Sequence, residues 1–540
     1  MLLSKGLLLS RLLLTACIAG LLFRATRSYL QKTNVVFDIE DTTPLGDGSP
    51  EEEYLERLVG ICGLTNYTKW QAWRILSSEQ SLNVEPITDI DANFQPHSDM
   101  PKVIDVSNPR ASDLRASRRM ELPIHSSPAQ NKMHGSGFLF GVSTSYGRIA
   151  DRDWAILRAW KRWFTNGNGS SNGAGLVLML DNASSEQLDE IAEVLGDAGI
   201  HAHVTSTAKP TSKVRRYYDM IRVLKTYGAA LAASGQAKQW FGVVDDTIFL
   251  PSLTYLRERL STYNANDKLY IGIPSERSDW QQDGESVTTY GGGAIILSQR
   301  VVSLMPKLPC LKLDNPGPSF GSKKWDVVLK KCVKKEAGID MHVIPAFYSP
   351  HDANYRPHLE SHETGMRPLL LHDYRNRHGI DVGKAHLVTE ICGEACFMHQ
   401  YLFLDNWAVI NGMSISHHPD GLSHHNHHNP LLLLLLRHSR QDKDERDDFG
   451  MAGETPISGQ IVINEDKVDR KPLKWTGRRE VWKLVDSARV ANGSVWQAYL
   501  KRGVRTATRP ENRDGQSKPS EEEMDSVIVL IWGKKKKEHQ

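Results

Sequence analysis

From Gly137 onward the hydrophobic positions alternate between two rhythms. Unbroken apolar runs, FLFGVST (138–144), GLVLML (175–180) and WFGVV (240–244), read as strands buried on both faces. Between them apolar residues recur at helical spacing. Ala155 to Phe164 reads as a helix; Leu188, Ile191, Ala192 and Leu195 stand at i, i+3, i+4 and i+7; Val214, Tyr217, Tyr218, Ile221 and Leu224 mark a third helix that ends near Gly228. Ser184 and Gln187 have the spacing of a capping box, which sets a helix start there. With HAHVT (201–205) as a further strand, this order predicts an α/β domain on a parallel sheet, which LYIGI (269–273) and GGAIIL (292–297) extend.

Elsewhere the periodicity weakens. Residues 33–55 are acidic and polar, with Asp38, Glu40, Asp41, Asp47 and the Glu51–Glu53 run, and residues 83–135 are rich in Pro, Ser, Asp and Asn. Both read as tether or irregular surface. Residues 417–450 hold a histidine-rich tract, six leucines and a charged run; this biased segment reads as an exposed loop, with metal binding by its histidines the alternative. Residues 456–500 read as strands and turns, and VIVL before the basic tail reads as an edge strand.

The start of the chain has its own pattern. Lys5 precedes an apolar stretch from Leu7 to Phe23, interrupted only by Ser10, Arg11 and Thr15, at the short edge of what spans a bilayer. No small-x-small site stands before Arg24 and Arg27, which favours an uncleaved signal anchor over a cleaved signal peptide or a mitochondrial presequence. Basic residues flank both sides, so charge does not orient the segment.

Composition narrows the classes further. At 540 residues the chain is long enough for two to four domains, and 40% hydrophobic with 24% charged residues excludes global disorder and a multispan membrane protein. The 66 Lys+Arg against 64 Asp+Glu leave +2, no electrostatic reason for a nucleic-acid partner. Four Asn-x-Ser/Thr triplets, at Asn66, Asn168, Asn182 and Asn492, are N-glycosylation candidates in a lumenal chain. Beyond Cys17 and Cys62, the simplest local pairings are Cys310 with Cys332 and Cys392 with Cys396, with unpaired buried thiols the alternative.

Candidate chemistry sits where WFGVV stops at Asp245-Asp246. In open α/β sheets ligands gather at the carboxyl ends of strands, and adjacent carboxylates there suit a divalent cation that clamps a diphosphate. A solvated pair or a helix cap is the plainer alternative. Gly291, Gly292 and Gly293 permit close backbone approach to a ligand, or equally a bulge. No GxxxxGK[ST] and no GxGxxG between strand and helix is present, which argues against those two phosphate sites. Trp240, Tyr290 and Trp325 are candidates for stacking on a bound ring, with core packing the alternative.

In order and spacing, FLFGVST, RRYYDMIRVL, WFGVVDDTIFLPSL, LYIGIPSE, YGGGAIILS, the Cys310–Cys332 segment, PLLLHDY and CGEACFMHQYLFLDNWAVINGMSIS resemble the Fringe-like family of β-1,3-type glycosyltransferases, in its long single-pass Golgi branch. The resemblance covers roughly residues 137–420. It implies a GT-A fold, a single Rossmann-like sheet flanked by helices, here with an appended C-terminal β-rich segment and an N-terminal transmembrane anchor. It implies a UDP-sugar donor, a glycan or glycoprotein acceptor, Mn²⁺ or another divalent cation, and a type II Golgi or endoplasmic reticulum protein with its catalytic domain lumenal. The division then runs 1–6 cytoplasmic tail, 7–23 anchor, 24–136 stem, 137–420 catalytic domain, 421–455 loop and 456–540 extension.

The same resemblance assigns roles. Asp245 and Asp246 match the family's acidic motif, one aspartate short of its usual three, with Asp246 the favoured metal ligand. Gly291, Gly292 and Gly293 match the donor-side glycine loop. Asp326, in KKWDVVLKKC, matches the general base of inverting members, with a helix-capping role the alternative. His372, in LLLHDY, matches the histidine that completes the metal shell, with His351 in YSPHD the other candidate. The missing aspartate leaves open a protein that binds glycans or nucleotide sugars without turnover. A hydrolase with a carboxylate pair is a third and weaker reading.

Overall fold

The apolar runs pair side by side as the periodicity predicts. Seven strands form one sheet in the order Met341–Val343, Tyr270–Gly272, Ala294–Ser298, Trp240–Val244, Phe138–Thr144, Gly175–Leu180 and Ala202–Ser206. The computed structural model describes residues 49–80, 87–95, 101–125, 135–167, 169–273, 281–283, 286–288, 293–311, 323–344, 368–372, 375, 379, 381–423, 474–475, 477–504 and 520–534. All of these lie in one unit, Thr42–Gln540. The protein is thus mixed α/β with a largely parallel sheet.

Its winding places the site. From Phe138–Thr144 the chain steps outward through parallel neighbours Gly175–Leu180 and Ala202–Ser206, then crosses back to lay Trp240–Val244, also parallel, on the other side of Phe138–Thr144. The reversal makes a crevice beyond the carboxyl ends of Phe138–Thr144 and Trp240–Val244, the switch point where open α/β sheets take ligands. Ala294–Ser298 runs antiparallel beside Trp240–Val244, with Ala294 opposite Val244.

Helices form where the spacing predicts them. The capping box at Ser184 and Gln187 is present in full and opens the helix Ser185–Asp197. The helix Lys213–Ala233 is longer than expected, running past Gly228, and the helix expected from Ala155 begins at Tyr146 and ends at Phe164. Helices Lys213–Ala233 and Trp325–Ala337 share one core with the sheet, in which Tyr217, Ile221 and Leu224 meet Leu139, Val243, Ile295 and Leu329. The bond Cys310–Cys332 ties the segment after Ala294–Ser298 to the second of these helices, and Cys392 pairs with Cys396. Cys62 is a free, half-buried thiol.

The single sheet with an appended tail is corrected by a second sheet of ten strands. It is built from both ends of the chain: Tyr67–Gln80 lies parallel to Asp525–Lys534 on one side and to Arg118–His125 on the other. The VIVL strand is therefore interior, between Val495–Lys501 and Tyr67–Gln80, where its buried Val527–Leu530 run has apolar neighbours on both faces. Residues 50–125 are not an irregular stem among the described residues. Pro50–Cys62 is a helix that buries Tyr54, Leu55 and Leu58 against Trp70, Ala72, Trp496 and Val527, and the glutamates 51–53 occupy its first turn, where the helix dipole favours acid. Lys102–Asp105 also belongs to the sheet.

Half-buried ion pairs join the two sheets' elements. Glu390 accepts from Arg162 of the helix Tyr146–Phe164 at 2.7 Å and from Arg489 of the strand Glu480–Arg489. The anchor stretch Leu7–Phe23, most of the histidine-rich tract and Asn168 lie outside the described residues; among the described residues no helix is long and apolar enough to cross a membrane.

Candidate active site at the switch point

The strand Trp240–Val244 ends by delivering Asp245 and Asp246 into the crevice, both buried. The backbone of Asp245 is pinned there, its N–H donating to Gly293 O at 2.9 Å and its C=O accepting from Ile248 N at 3.1 Å. Asp246 turns toward Phe138–Thr144: Arg148 Nε and Nη2 donate to its two carboxylate oxygens at 2.7 and 3.0 Å, and the Thr144 hydroxyl donates to it as well. Asp245 turns toward the helix Lys213–Ala233, whose first residue donates from Nζ to Oδ2 at 2.6 Å. The other oxygen, Asp245 Oδ1, is buried with no hydrogen-bond partner.

Two buried carboxylates side by side cannot both ionise freely. For Asp246, burial and then the adjacent Asp245 carboxyl push the group above its ordinary value, only partly offset by Arg148 and Thr144. For Asp245, burial alone acts upward, but the contact with Asp246 and the charge of Lys213 leave it lowered. The two carboxyls are thus pulled in opposite directions, and Asp245 holds the open oxygen. The sequence favoured Asp246; the geometry leaves Asp246 saturated by Arg148 and Thr144.

His372 reaches the same place from far along the chain. The short strand Leu371–His372 pairs antiparallel with Ile248–Phe249, setting His372 opposite Ile248, two residues past Asp246. Its imidazole packs on Gly293: a Cβ there would stand 3.2 Å from His372 Nε2 and 3.6 Å from Asp245 Cβ, and Gly293 has φ +82°. Gly293→Ala is expected to cost about 1–2 kcal/mol through the left-handed backbone and to displace the imidazole. A denaturation midpoint and the His372 ring resonance together check it. Gly291, Gly292, Tyr290 and His351 lie outside the described residues.

Asp326 stands in the first turn of Trp325–Ala337. Burial raises its carboxyl above the ordinary value; the backbone N–H groups of Val327 and Asp326 pull the other way, and the Asp245 charge adds to the rise. The helix is set by Trp325, which stacks on Tyr217 at 4.2 Å with 10° between planes. The Tyr217 hydroxyl in turn donates to Val244 O at 2.9 Å, one residue before Asp245. Trp325 is 3% exposed and Trp240 5%, so both are core residues and not sugar platforms.

Arg148, Lys213, Thr144 and Tyr217 were not identified as site residues from sequence. Lys213 and Tyr217 lie on the tyrosine-rich helix already singled out, and their i, i+4 spacing puts them on one face. Thr144 ends the first strand and Arg148 opens the helix after it, positions that the switch-point rule makes relevant only once strand order is known.

Among the described residues no group of three or more His, Cys, Asp or Glu side chains is arranged to hold a metal ion. The donors that converge are the open Asp245 oxygen and the His372 ring beside it. Asn66, Asn182 and Asn492 are exposed.

Comparison with known proteins adds one family. A family model described as Fringe-like matches residues 185–364. No curated protein matches the chain. Similar solved structures include the glycosyltransferase GlyE of Streptococcus pneumoniae TIGR4, at 12% identity and TM-score 0.27, covering 44% of this chain and 54% of GlyE. Mouse xyloside xylosyltransferase 1 matches at 11% identity and TM-score 0.24, over 44% of this chain and 98% of that one. The inositol-1-phosphate CTP transferase of T. maritima matches at 13% and 0.24, over 39% and 85%. The chain spans about half the length of GlyE. The Fringe-like match spans the stretch that holds Asp245, Asp246, Gly293 and Asp326.

Proposed function

We propose that the chain is a metal-dependent, inverting glycosyltransferase of GT-A type that moves a sugar from a UDP-sugar to a hydroxyl of a glycan or glycoprotein. One observation carries the reading: a buried carboxylate with an open oxygen lies at the switch point of the sheet, within electrostatic reach of a separate carboxyl of raised basicity, Asp326. Cations that keep their own waters and bind substrate phosphates need only one or two protein carboxylates, which suits Asp245 with His372 beside it. A divalent cation held there would offset the charge of the departing diphosphate. Asp326 takes the proton of the acceptor hydroxyl as its oxygen bonds to the anomeric carbon and the bond to the diphosphate oxygen breaks. Arg148 and Thr144 hold Asp246, and Tyr217 holds the end of the strand, so the carboxylates need not reorganise during the step.

The same proposal makes the protein a type II resident of the Golgi or endoplasmic reticulum membrane, held by residues 7–23. The Cys310–Cys332 bond and the exposed sequons at Asn66, Asn182 and Asn492 support a lumenal domain.

A second reading, binding of nucleotide sugar without turnover, is favoured by Arg148 and Lys213, which already neutralise both carboxylates. Hydrolysis and transfer measured across UDP- and GDP-sugars, with Mn²⁺ and with chelator, separate the two. Turnover with one donor, abolished by chelator and by Asp245→Ala, is the expected result. Metal-dependent UDP binding with no turnover on any acceptor selects the second reading, and no UDP binding overturns the site.

A further inference from the structure

The second sheet carries a cleft of about 980 Å³ that the catalytic proposal does not use. Its floor and walls come from one transverse row. Trp407 pairs with His417 and His417 with Glu480 across three adjacent strands; Lys501 pairs with Ser526 and Ser526 with Lys69 across the next three. Since directly opposed residues share a face, all six side chains stand on the same side of the sheet. The alternate residues Trp70, Ala72, Val527 and Val529 face the helix Pro50–Cys62 instead.

The lining is apolar beneath and mixed in charge around. Trp407 and Trp482 pack on each other at 5.1 Å beneath the floor, nearly buried, with the His417 ring stacked on Trp407 at 4.6 Å and the Lys501 ammonium 5.0 Å over Trp482. In the walls Lys69, Lys501 and Arg502 stand against Asp405, Glu480, Glu521 and Glu522. A site with both signs in near balance selects neither anions nor cations. It suits a neutral molecule with many hydroxyls, each able to donate to carboxylates and accept from ammonium or guanidinium. The volume is at the upper end for small-ligand sites, room for more than one sugar ring.

We propose that this cleft binds a neutral oligosaccharide, a second carbohydrate site on a sheet separate from the one that holds Asp245. Its role, holding an acceptor chain, rests on the transferase reading; the binding itself does not.

The test is calorimetric titration of the full chain with cellotetraose, chitotetraose and mannotetraose, and in parallel with UDP and Mn²⁺. Glu480 and Lys501 are 43% and 35% exposed, so Glu480→Gln and Lys501→Ala remove contacts at the rim and leave the floor intact. Binding of at least one tetrasaccharide is expected, weakened about 10-fold or more in both variants, with UDP binding unchanged. No tetrasaccharide binding by a protein that binds UDP overturns the inference and leaves the transferase standing. Tetrasaccharide affinity that both variants retain also overturns it. Tetrasaccharide binding lost in the variants, in a chain that never binds UDP, upholds the cleft and overturns the transferase.

Discussion

Asp326→Asn is expected to lower sugar transfer by about 10²- to 10⁴-fold while leaving the protein folded and more stable at neutral pH. The two halves of this expectation come from the same burial. A carboxyl whose folded value is raised is a stronger base once ionised, which is what proton removal from a sugar hydroxyl needs. Its charged form is also a burden on the fold. The protonated form stabilises fully below the unfolded-state value, and that contribution is lost as pH rises through the raised folded value. Asparagine escapes the loss, so the unfolding midpoint of the variant should overtake that of the wild type as pH increases. The acidic limb of kcat/KM should lie above the ordinary aspartate range. A residue that merely capped the helix Trp325–Ala337 would behave in the opposite way, losing stability and keeping turnover. Transfer rates and denaturation midpoints of the two proteins, compared from about pH 4, the ordinary carboxyl value, up to neutral pH, distinguish them.

What was legible in the sequence follows the range of the interactions involved. FLFGVST, GLVLML and WFGVV are strands because their apolar runs suffice locally, and Ser184 with Gln187 caps a helix within four residues. The acidic pair was legible because it interrupts such a run. The second sheet was not, since Thr68 pairs with Asp525 and Gln400 with Ile87, and partners that far apart leave no periodic trace in either segment. The glutamates 51–53 looked like a solvated tether because acid runs usually are; here Pro50 ahead of them and Tyr54, Leu55 and Leu58 behind make them a helix start. Choosing the open carboxylate was likewise beyond sequence. It depends on Arg148 reaching Asp246 and Lys213 reaching Asp245, contacts between three separate elements. His372 was identified by resemblance alone, and the two-residue pairing with Ile248–Phe249 supplies the physical reason it sits beside Gly293.

Asp486→Ala is expected to be the most destabilising single change outside the sheet cores, at about 3–5 kcal/mol. Asp486 is fully buried in the strand Glu480–Arg489 and receives two cations: Arg57, through Nε at 2.8 Å and Nη2 at 3.1 Å, and Lys384 Nζ at 3.0 Å. Arg57 belongs to the helix Pro50–Cys62 and Lys384 to the short helix Val382–Ala385, so one carboxylate joins three elements distant in sequence. Removing the anion leaves two cations, 17% and 15% exposed, facing each other with little water. Removing either cation leaves the carboxylate with one partner, and Arg57→Ala and Lys384→Ala should each cost less than Asp486→Ala. Asp486→Asn keeps hydrogen-bonding capacity but not charge, and should fall between. Chemical denaturation of the four variants orders them, and limited proteolysis should cut first around residues 50–66 in Asp486→Ala. Equal midpoints for Asp486→Ala and wild type would show that the network is ornamental and that the apolar contacts of Tyr54, Leu55 and Leu58 hold the helix by themselves. Either way UDP binding should survive in the folded fraction, because none of the three elements contributes a side chain to Asp245, Asp246 or Asp326.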